Sequence, residues 1–226
     1  AKAAGILAAN GGALEQYERE GKSRVPGVPI AAVNTTAGTG SECTAFYIVT
    51  DPVRHSKMAM VDNNCMVAIA INDVDFMMSM PPKLTAATGM DALTHAIEAV
   101  LSRGATPLTD KDALWAVEQI AQYLPRAVAD GGDEKARTRM AYAENAAGMA
   151  FSNAGLGMVH AMAHALGGEI TTPKTQEYGK TKTFYDSDSI LFRGLPQQGI
   201  SCMSHTDYDS QMPEGFRRTA YTDTTP

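Results

Sequence analysis

The sequence predicts an α/β segment followed by an all-helical segment, because the spacing of its apolar residues changes near residue 80. Before that point, short apolar runs alternate with Gly and Pro, and the unbroken run 28–33 suits a strand of a parallel sheet that is buried on both faces. From 81 to about 168 the chain is rich in Ala and Met at helical spacing. Beyond about 169 it is polar and poor in Leu, Val and Ile, which predicts a weakly structured tail.

The α/β segment is expected to begin with a helix over 1–9 that ends at the pair Gly11-Gly12, since glycine adopts the left-handed cap conformation without steric cost. Strands are predicted after it, with turns marked by Asp51-Pro52 and by residues 62–64. The predicted strands cover 28–33, 45–49, 58–61 and 67–71.

The helical segment is expected to open at Pro81-Pro82, because proline is tolerated in the first turn of a helix. A cap at Thr109 predicts a helix that runs to Tyr123 and is closed by Pro125. Three further helical stretches are indicated by apolar spacing and Ala content, and the last is expected to end at Gly167-Gly168; they cover 91–101, 134–151 and 156–166.

Composition limits the classes of function. The 226 residues include 19 Lys and Arg against 25 Asp and Glu, a net charge of −6, which argues against a nucleic-acid or anionic-membrane surface. The longest apolar stretch, 66–71, is too short to span a bilayer, and the N-terminus has no signal-peptide layout. Three cysteines without a C-x-x-C pair are typical of reduced thiols in a cytoplasmic protein.

Two histidine-containing pairs indicate a metal site. Asp91 and His95 are four residues apart, as are His160 and His164, so each pair shares one face of a predicted helix. Such pairs are also common as surface contacts or as packed, hydrogen-bonded side chains. Together, however, the pairs contain three histidines and one aspartate, and an Asp-His-His set among them matches the donor set of Fe(II) and also suits Zn(II).

The loop 34–42 follows the best predicted strand and is rich in Thr and Gly. Small residues and hydroxyls at the carboxyl end of a parallel strand suit a phosphate or ribose, because backbone N–H groups can approach closely. An ordinary glycine-rich loop has the same composition. The loop is neither G-x-G-x-x-G nor a Walker A sequence.

Four stretches of the chain resemble the iron-containing (group III) alcohol dehydrogenases, the family that includes lactaldehyde reductases and bacterial methanol dehydrogenases. The resemblance covers about 1–173, and the last two stretches are long and specific. The stretches are Thr35-Thr36-Ala37-Gly38-Thr39-Gly40-Ser41-Glu42, Met80-Pro81-Pro82, 88–99 (TGMDALTHAIEA) and 148–164 (GMAFSNAGLGMVHAMAH).

The resemblance implies the remnant of a parallel-sheet dinucleotide-binding domain at 1–80, a helical metal-binding domain at 81–173 and a divergent tail at 174–226. It implies Fe(II) or Zn(II) held by Asp91, His95 and His160, with His164 as a catalytic residue beside the nicotinamide and substrate. The metal would polarise an alcohol oxygen while hydride passes to NAD(P). The cofactor-side positions that it implies are Thr35, Thr36, Thr39, Thr44, Phe46 and Lys57.

Three departures from the family pattern leave other functions open. The family's glycine-rich serine loop would precede Ala1, Lys174 stands where the family has a fourth histidine ligand, and the tail does not resemble the family's later helices. The first expectation is an alcohol or aldehyde oxidoreductase acting on a small molecule. The alternatives are a metal-dependent hydrolase of esterase or lactonase type, since three ligands with an open position activate water, and a catalytically silent fragment. An unpaired sheet edge predicts a homo-oligomer.

Overall fold

The computed structural model describes residues 1–51, 53–54, 56–171, 183–185 and 220–222. From residue 1 to residue 171, short strands are followed by long helices, so the predicted order of an α/β segment and an all-helical segment is confirmed. The helices are α1 (Lys2–Asn10), α2 (Pro82–Leu101), α3 (Pro107–Ala129), α4 (Glu134–Ala154) and α5 (Met158–Thr171). The strands are β1 (Arg19–Glu20), β2 (Ala31–Val33), β3 (Phe46–Asp51), β4 (Ser56–Val61), β5 (Ile69–Ile71), β6 (Thr183–Tyr185) and β7 (Ala220–Thr222).

The strands of the α/β segment form two small sheets. One has the order β1-β4-β3, with β1 parallel to β4, and the other pairs β2 with β5 in parallel, in the register Ala31↔Ile69 and Val33↔Ile71. The prediction that 28–33 is buried on both faces is wrong. Only 31–33 form the strand, and Ala31 and Val33, which share one face of it, are both exposed, so that face is not covered by a packed layer.

Alanine makes the helical core compact. Helices α2, α3 and α4 bury a shared set of alanines around Ile120, Met140 and Phe151. Because alanine side chains are small, the helix backbones can approach closely. A separate small core lies under the first sheet and is formed by Ile6, Tyr17, Tyr47, Met58, Met60 and Cys65.

Two predicted helix ends are corrected by the structure. Pro125 does not close α3, which continues to Ala129. Its missing N–H would have paired with the carbonyl of Ala121, and both residues lie on the exposed face, where water can solvate that carbonyl. The buried Leu124 and Ala127 hold the following turn in the core. Likewise α5 does not end at Gly167-Gly168 but at Thr171.

The helix starts also differ from prediction. The cap of α3 is Thr106 rather than Thr109, and these two residues form a reciprocal capping box with Pro107 in the first turn. The stretches predicted to begin at Pro82 and at Asp91 are one continuous helix, α2.

A buried arginine ties these helices together. Arg137 of α4 is 1% exposed, and its guanidinium donates to three neutral oxygens: the hydroxyl of Thr85 and the carbonyls of Met80 and Gly131. It therefore joins the start of α2 to the turn between α3 and α4.

The chain divides into two compact units, one formed by Ala1–Val49 with Met58–His160 and the other by Thr50–Lys57 with Ala161–Pro226. The predicted boundary at residue 80 stays a prediction. In the predicted tail, the structure describes only an antiparallel pair of β6 with β7, and the rest of 174–226, with Lys174, lies outside the described residues. No helix in the described parts of the chain has the length and apolarity needed to cross a membrane.

Candidate metal centre

Helices α2 and α5 bring three predicted ligands together. Asp91 and His95 lie one turn apart on α2, and His160 lies in the first turn of α5. One potential ligand atom from each of the three residues lies within 4.8 Å of the other two. The Nε2 atom of His160 is 3.3 Å from Asp91 Oδ1, and that of His95 is 3.9 Å from the same oxygen.

Each histidine ring is oriented through its other nitrogen. His95 Nδ1 lies 3.1 Å from the carbonyl oxygen of Gly38, and His160 Nδ1 lies 2.6 Å from Glu98 Oε2. A carbonyl or carboxylate oxygen only accepts, so both Nδ1 atoms carry the hydrogen and donate it. In a neutral ring, the lone pair is then on the Nε2 atom that faces Asp91.

This arrangement fits a divalent cation. Two imidazole lone pairs and a carboxylate oxygen converge, and three acceptors at such distances repel one another unless a proton or a cation lies among them. Two imidazoles with one carboxylate is a donor set that suits Fe(II) and other first-row divalent metals. The donor chemistry of these residues therefore fits the metal that the sequence predicts.

Burial and charge act differently on the two imidazoles. Burial lowers the pKa of His95 to about 4, although Asp91 opposes this. Burial also disfavours the charged form of His160, but its hydrogen bonds to Asp91 and Glu98 outweigh that effect and raise its pKa. Burial disfavours the ionised form of Glu98, yet its hydrogen bonds with His160 and the backbone of Gly157 and Val159 lower its pKa.

Stacking fixes the ring planes. The rings of His95 and His160 are stacked with centroids 4.1 Å apart, and Phe151 of α4 stacks on His95 at 4.2 Å. The two histidine side chains are 7% and 8% exposed, whereas that of Asp91 is 37% exposed. The cluster is therefore closed on the imidazole sides and reachable from solvent on the Asp91 side.

Two supporting groups were not assigned from the sequence. Glu98 accepts hydrogen bonds from the His160 ring and also from the backbone N–H groups of Val159 and His160, so it holds both the ring and the start of α5. Its position seven residues after Asp91, on the same helix face, is a signal that could have identified it. The carbonyl of Gly38 comes from the distant loop 34–42, and no spacing rule points to it.

The predicted cofactor positions fall into separate places. Thr35, Thr36 and Thr39 line a cavity of about 300 Å³ beside β2, together with Asn34 and Ser41. Thr44 is 1% exposed, and its carbonyl and hydroxyl oxygens accept hydrogen bonds from Lys2. Thr44 is not among the residues that line this cavity.

The remaining two cofactor positions, Phe46 and Lys57, are not among the residues that line this cavity either. Phe46 packs edge-on against Phe151. Lys57 lies beside α5, where a Cβ atom on Gly167 would be 3.0 Å from its Nζ atom. The predicted catalytic residue, His164, is half-buried on α5. The cofactor and catalytic roles of these residues stay predictions.

A parallel-strand segment carries a threonine-rich loop, and the helices that follow it assemble two histidines and a carboxylate into a candidate metal site. Two family models match the chain: "Iron-containing alcohol dehydrogenase" over residues 1–74 and "Fe-containing alcohol dehydrogenase family, C-terminal" over residues 85–178. The chain belongs to the iron-containing alcohol dehydrogenase family, as the resemblance predicted.

Similar proteins include alcohol dehydrogenase 4 of Schizosaccharomyces pombe, 55% identical over 173 residues, and the NAD-dependent methanol dehydrogenase of Bacillus methanolicus, 50% identical over 168 residues. These matches cover 76% and 74% of this chain but only 41% and 44% of the relatives. The crystal structure of a 1,3-propanediol oxidoreductase is similar with a TM-score of 0.72 and 49% identity, over 76% of this chain and 45% of that one. The chain thus spans less than half the length of these relatives.

Proposed function

We propose that this chain carries the metal centre and part of the nicotinamide site of an alcohol or aldehyde oxidoreductase. The observation that supports the proposal most is the convergence of the Asp91, His95 and His160 acceptor atoms, with both histidine tautomers set by Gly38 and Glu98. The names of the relatives agree with alcohol chemistry. Nothing in the comparisons favours the hydrolase alternative.

The residues of the chain have distinct proposed roles. Asp91, His95 and His160 would hold Fe(II), which the family name favours over Zn(II). When bound, the metal supplies Lewis-acid polarisation of the substrate oxygen. Glu98 and Gly38 orient the two histidines, and His164 would carry the proton exchanged with the substrate.

The cavity beside β2 is the proposed place for part of NAD(P). The hydroxyl groups of Thr35, Thr36 and Thr39 can donate to ribose or phosphate oxygens there. Lys57, which does not line the cavity, is proposed from the family resemblance alone as a positively charged cofactor contact. Thr44, which is buried, and Phe46, which is half-buried, are proposed as cofactor positions from the family resemblance alone.

Two properties of the whole protein remain proposals. Cys43 and Cys65 are free thiols, which supports a cytoplasmic location. A homo-oligomer stays a prediction, and light scattering of the purified chain tests it.

The function is tested on the full chain loaded with Fe(II) under anaerobic conditions. We expect saturable NADH binding below millimolar concentration and NAD(P)-dependent oxidation of a short-chain alcohol. His160→Ala should abolish the oxidation, whereas Glu118→Gln, at an exposed position on α3, should leave it unchanged. Absence of NADH binding at millimolar concentration, or oxidation that survives His160→Ala, would overturn the proposal.

A further inference from the structure

Two buried glutamates meet where the loop 34–42 lies on α4. Glu144 is 0% exposed, and its two carboxyl oxygens accept from Asn34 Nδ2 at 2.6 Å and from the backbone N–H of Gly40 at 2.7 Å. Glu42 is 2% exposed, and its Oε1 accepts from Asn145 Nδ2 at 2.6 Å. Three of the four carboxyl oxygens therefore have N–H donors.

The fourth oxygen, Glu42 Oε2, is buried and has no such donor in the described part of the chain. The two carboxyl groups are within hydrogen-bonding reach of each other. Two ionised carboxylates in this position would repel each other in a medium of low dielectric constant, whereas one proton between them satisfies the remaining oxygen. Burial and the neighbouring Glu42 accordingly raise the pKa of Glu144 well above its usual range.

Two neighbouring titratable groups, Lys2 and Cys43, face the pair. The ammonium of Lys2 donates to the carbonyls of Thr44 and Phe46, and burial lowers its pKa. Cys43 donates its S–H to the carbonyls of Gly40 and Asn145, and burial together with the two glutamates raises its pKa. Lys2 and Cys43 therefore donate mainly to backbone carbonyls, although the charge of Lys2 also acts on Glu42 and the Cys43 thiol lies within hydrogen-bonding reach of Glu42.

The loop and α4 also approach each other closely through their backbones at this point. A Cβ atom on Gly148 would lie 2.6 Å from Cys43 Sγ and 3.0 Å from the Cα of Gly40. Gly40 itself has φ of 56°, which favours glycine. The same loop supplies the Gly38 carbonyl that orients His95. A shift of the loop relative to α4 would thus move that carbonyl.

We propose that the Glu144 carboxyl group keeps its proton at neutral pH and donates it to the buried Oε2 atom of Glu42, and that this acid latch fixes the loop 34–42 on α4 and so positions the Gly38 carbonyl against His95. The latch does not depend on the proposed function, because it concerns protonation and loop position rather than the reaction. Glu42 and Glu144 are positioning residues in this proposal.

The first test is the pH dependence of unfolding of the full chain by denaturant. An unfolded glutamate has a pKa of about 4.3, so a shared proton retained in the native state is released on unfolding above about pH 5. The latch therefore stabilises the fold most at low pH, and this stabilisation is lost as the pH rises through the raised native pKa of Glu144. Between the unfolded and the native pKa, release of this one proton raises the equilibrium constant for unfolding by up to about tenfold per pH unit.

Glu42→Gln is the matched variant. Its amide Nε2 can donate permanently to Glu144 in place of the proton, while its oxygen still accepts from Asn145. Relative to wild type, we expect Glu42→Gln to lose this proton release between pH 5.5 and 7.5, and Glu118→Gln to keep it. Equal pH dependence in wild type and Glu42→Gln would overturn the proposal.

A second measurement uses the wild-type chain alone, so its result does not depend on whether a variant folds. Infrared difference spectra of the wild-type chain at pH 7 should contain the C=O band of a protonated carboxylic acid that resists exchange with solvent. Its absence would overturn the shared proton.

The positioning role is tested by Co²⁺ affinity, measured without any turnover. Glu42→Gln should bind Co²⁺ within about twofold of wild type, because the latch persists. Glu144→Ala removes the acceptors for Gly40 and Asn34 and should weaken Co²⁺ binding by about tenfold, the lower end of the effect of losing an outer-shell partner. Asn34→Ala, which removes one bond to Glu144, should weaken it less. Unchanged affinity in both alanine variants would contradict the positioning role.

Discussion

Replacement of Glu98 by glutamine tests whether the candidate metal centre depends on the orientation of His160. The carboxylate of Glu98 is 5% exposed, and it receives two 2.6 Å hydrogen bonds, one from His160 Nδ1 and one from the backbone N–H of Val159. A glutamine has the same shape but only one acceptor oxygen, so its NH₂ group would face one of these two donors. One charge-assisted hydrogen bond is therefore lost, and a donor–donor contact replaces it.

The magnitude follows from that single loss. A hydrogen bond to a charged group contributes about 1.5–3 kcal/mol, and 1.4 kcal/mol corresponds to about tenfold in affinity. We therefore expect Glu98→Gln to weaken metal binding by about 10- to 100-fold, which agrees with the usual cost of removing an outer-shell partner of a histidine ligand. The three ligands themselves remain in the chain.

The assay is a Co²⁺ titration at fixed pH in competition with a chelator of known affinity, with circular dichroism as a check on folding. Glu118→Gln is the control, because it makes the same chemical change at an exposed position of α3. An affinity of Glu98→Gln within twofold of wild type would refute the reasoning, since the His160 ring would then need no carboxylate to hold it.

Three other substitutions have defined outcomes. Arg137→Met leaves three buried oxygens without their donor, and removal of the buried charge offsets only part of this loss. Denaturant unfolding should therefore show a free energy of unfolding about 2–4 kcal/mol lower than that of wild type. An unchanged free energy of unfolding would contradict the structure. Pro125→Ala restores an N–H to α3 on its exposed face and should raise the free energy of unfolding by about 1–3 kcal/mol; a loss of stability would contradict this explanation of the uninterrupted helix. Gly38→Ala would place a Cβ atom 2.5 Å from the carbonyl oxygen of Thr88, so the loop must move. The affinity for Co²⁺ should then fall at least about tenfold. Wild-type affinity would mean that the Gly38 carbonyl does not orient His95.

The ligand cluster could be predicted because its signal is local. Asp91 and His95 are one helical turn apart, and a helix of any sequence places such a pair on one face. His160 could be added because a long motif matches a known family around it. The approach of the first turn of α5 to α2 depends instead on tertiary packing, in which Glu98 binds Val159 and His160.

Other features could not be predicted because they depend on residues far apart in sequence. The tautomer of His95 is set by Gly38, and the acid latch joins Glu42 to Glu144, more than 100 positions away. Pro125 was predicted to end α3 from a local rule. The rule failed because the buried side chains on either side of it continue in the core.

The strand at 28–33 illustrates a different limit. An apolar run predicts a strand that can be buried, but burial requires neighbours on both faces. In the described part of the chain β2 and β5 form a two-stranded sheet, and the exposed fractions of Val33 and Ile69, 44% and 58%, show that its faces are not fully covered. The type of element was therefore predictable, whereas its burial was not.

The central claim is that Asp91, His95 and His160 bind one divalent cation together, and Co²⁺ absorption spectroscopy tests it most directly. We expect one Co²⁺ per chain with d–d bands that indicate nitrogen and oxygen ligands, and separate replacement of Asp91 by Asn, His95 by Ala or His160 by Ala should abolish or strongly weaken that binding. Binding that is absent in the wild-type chain, or that persists unchanged in all three variants, would contradict the claim.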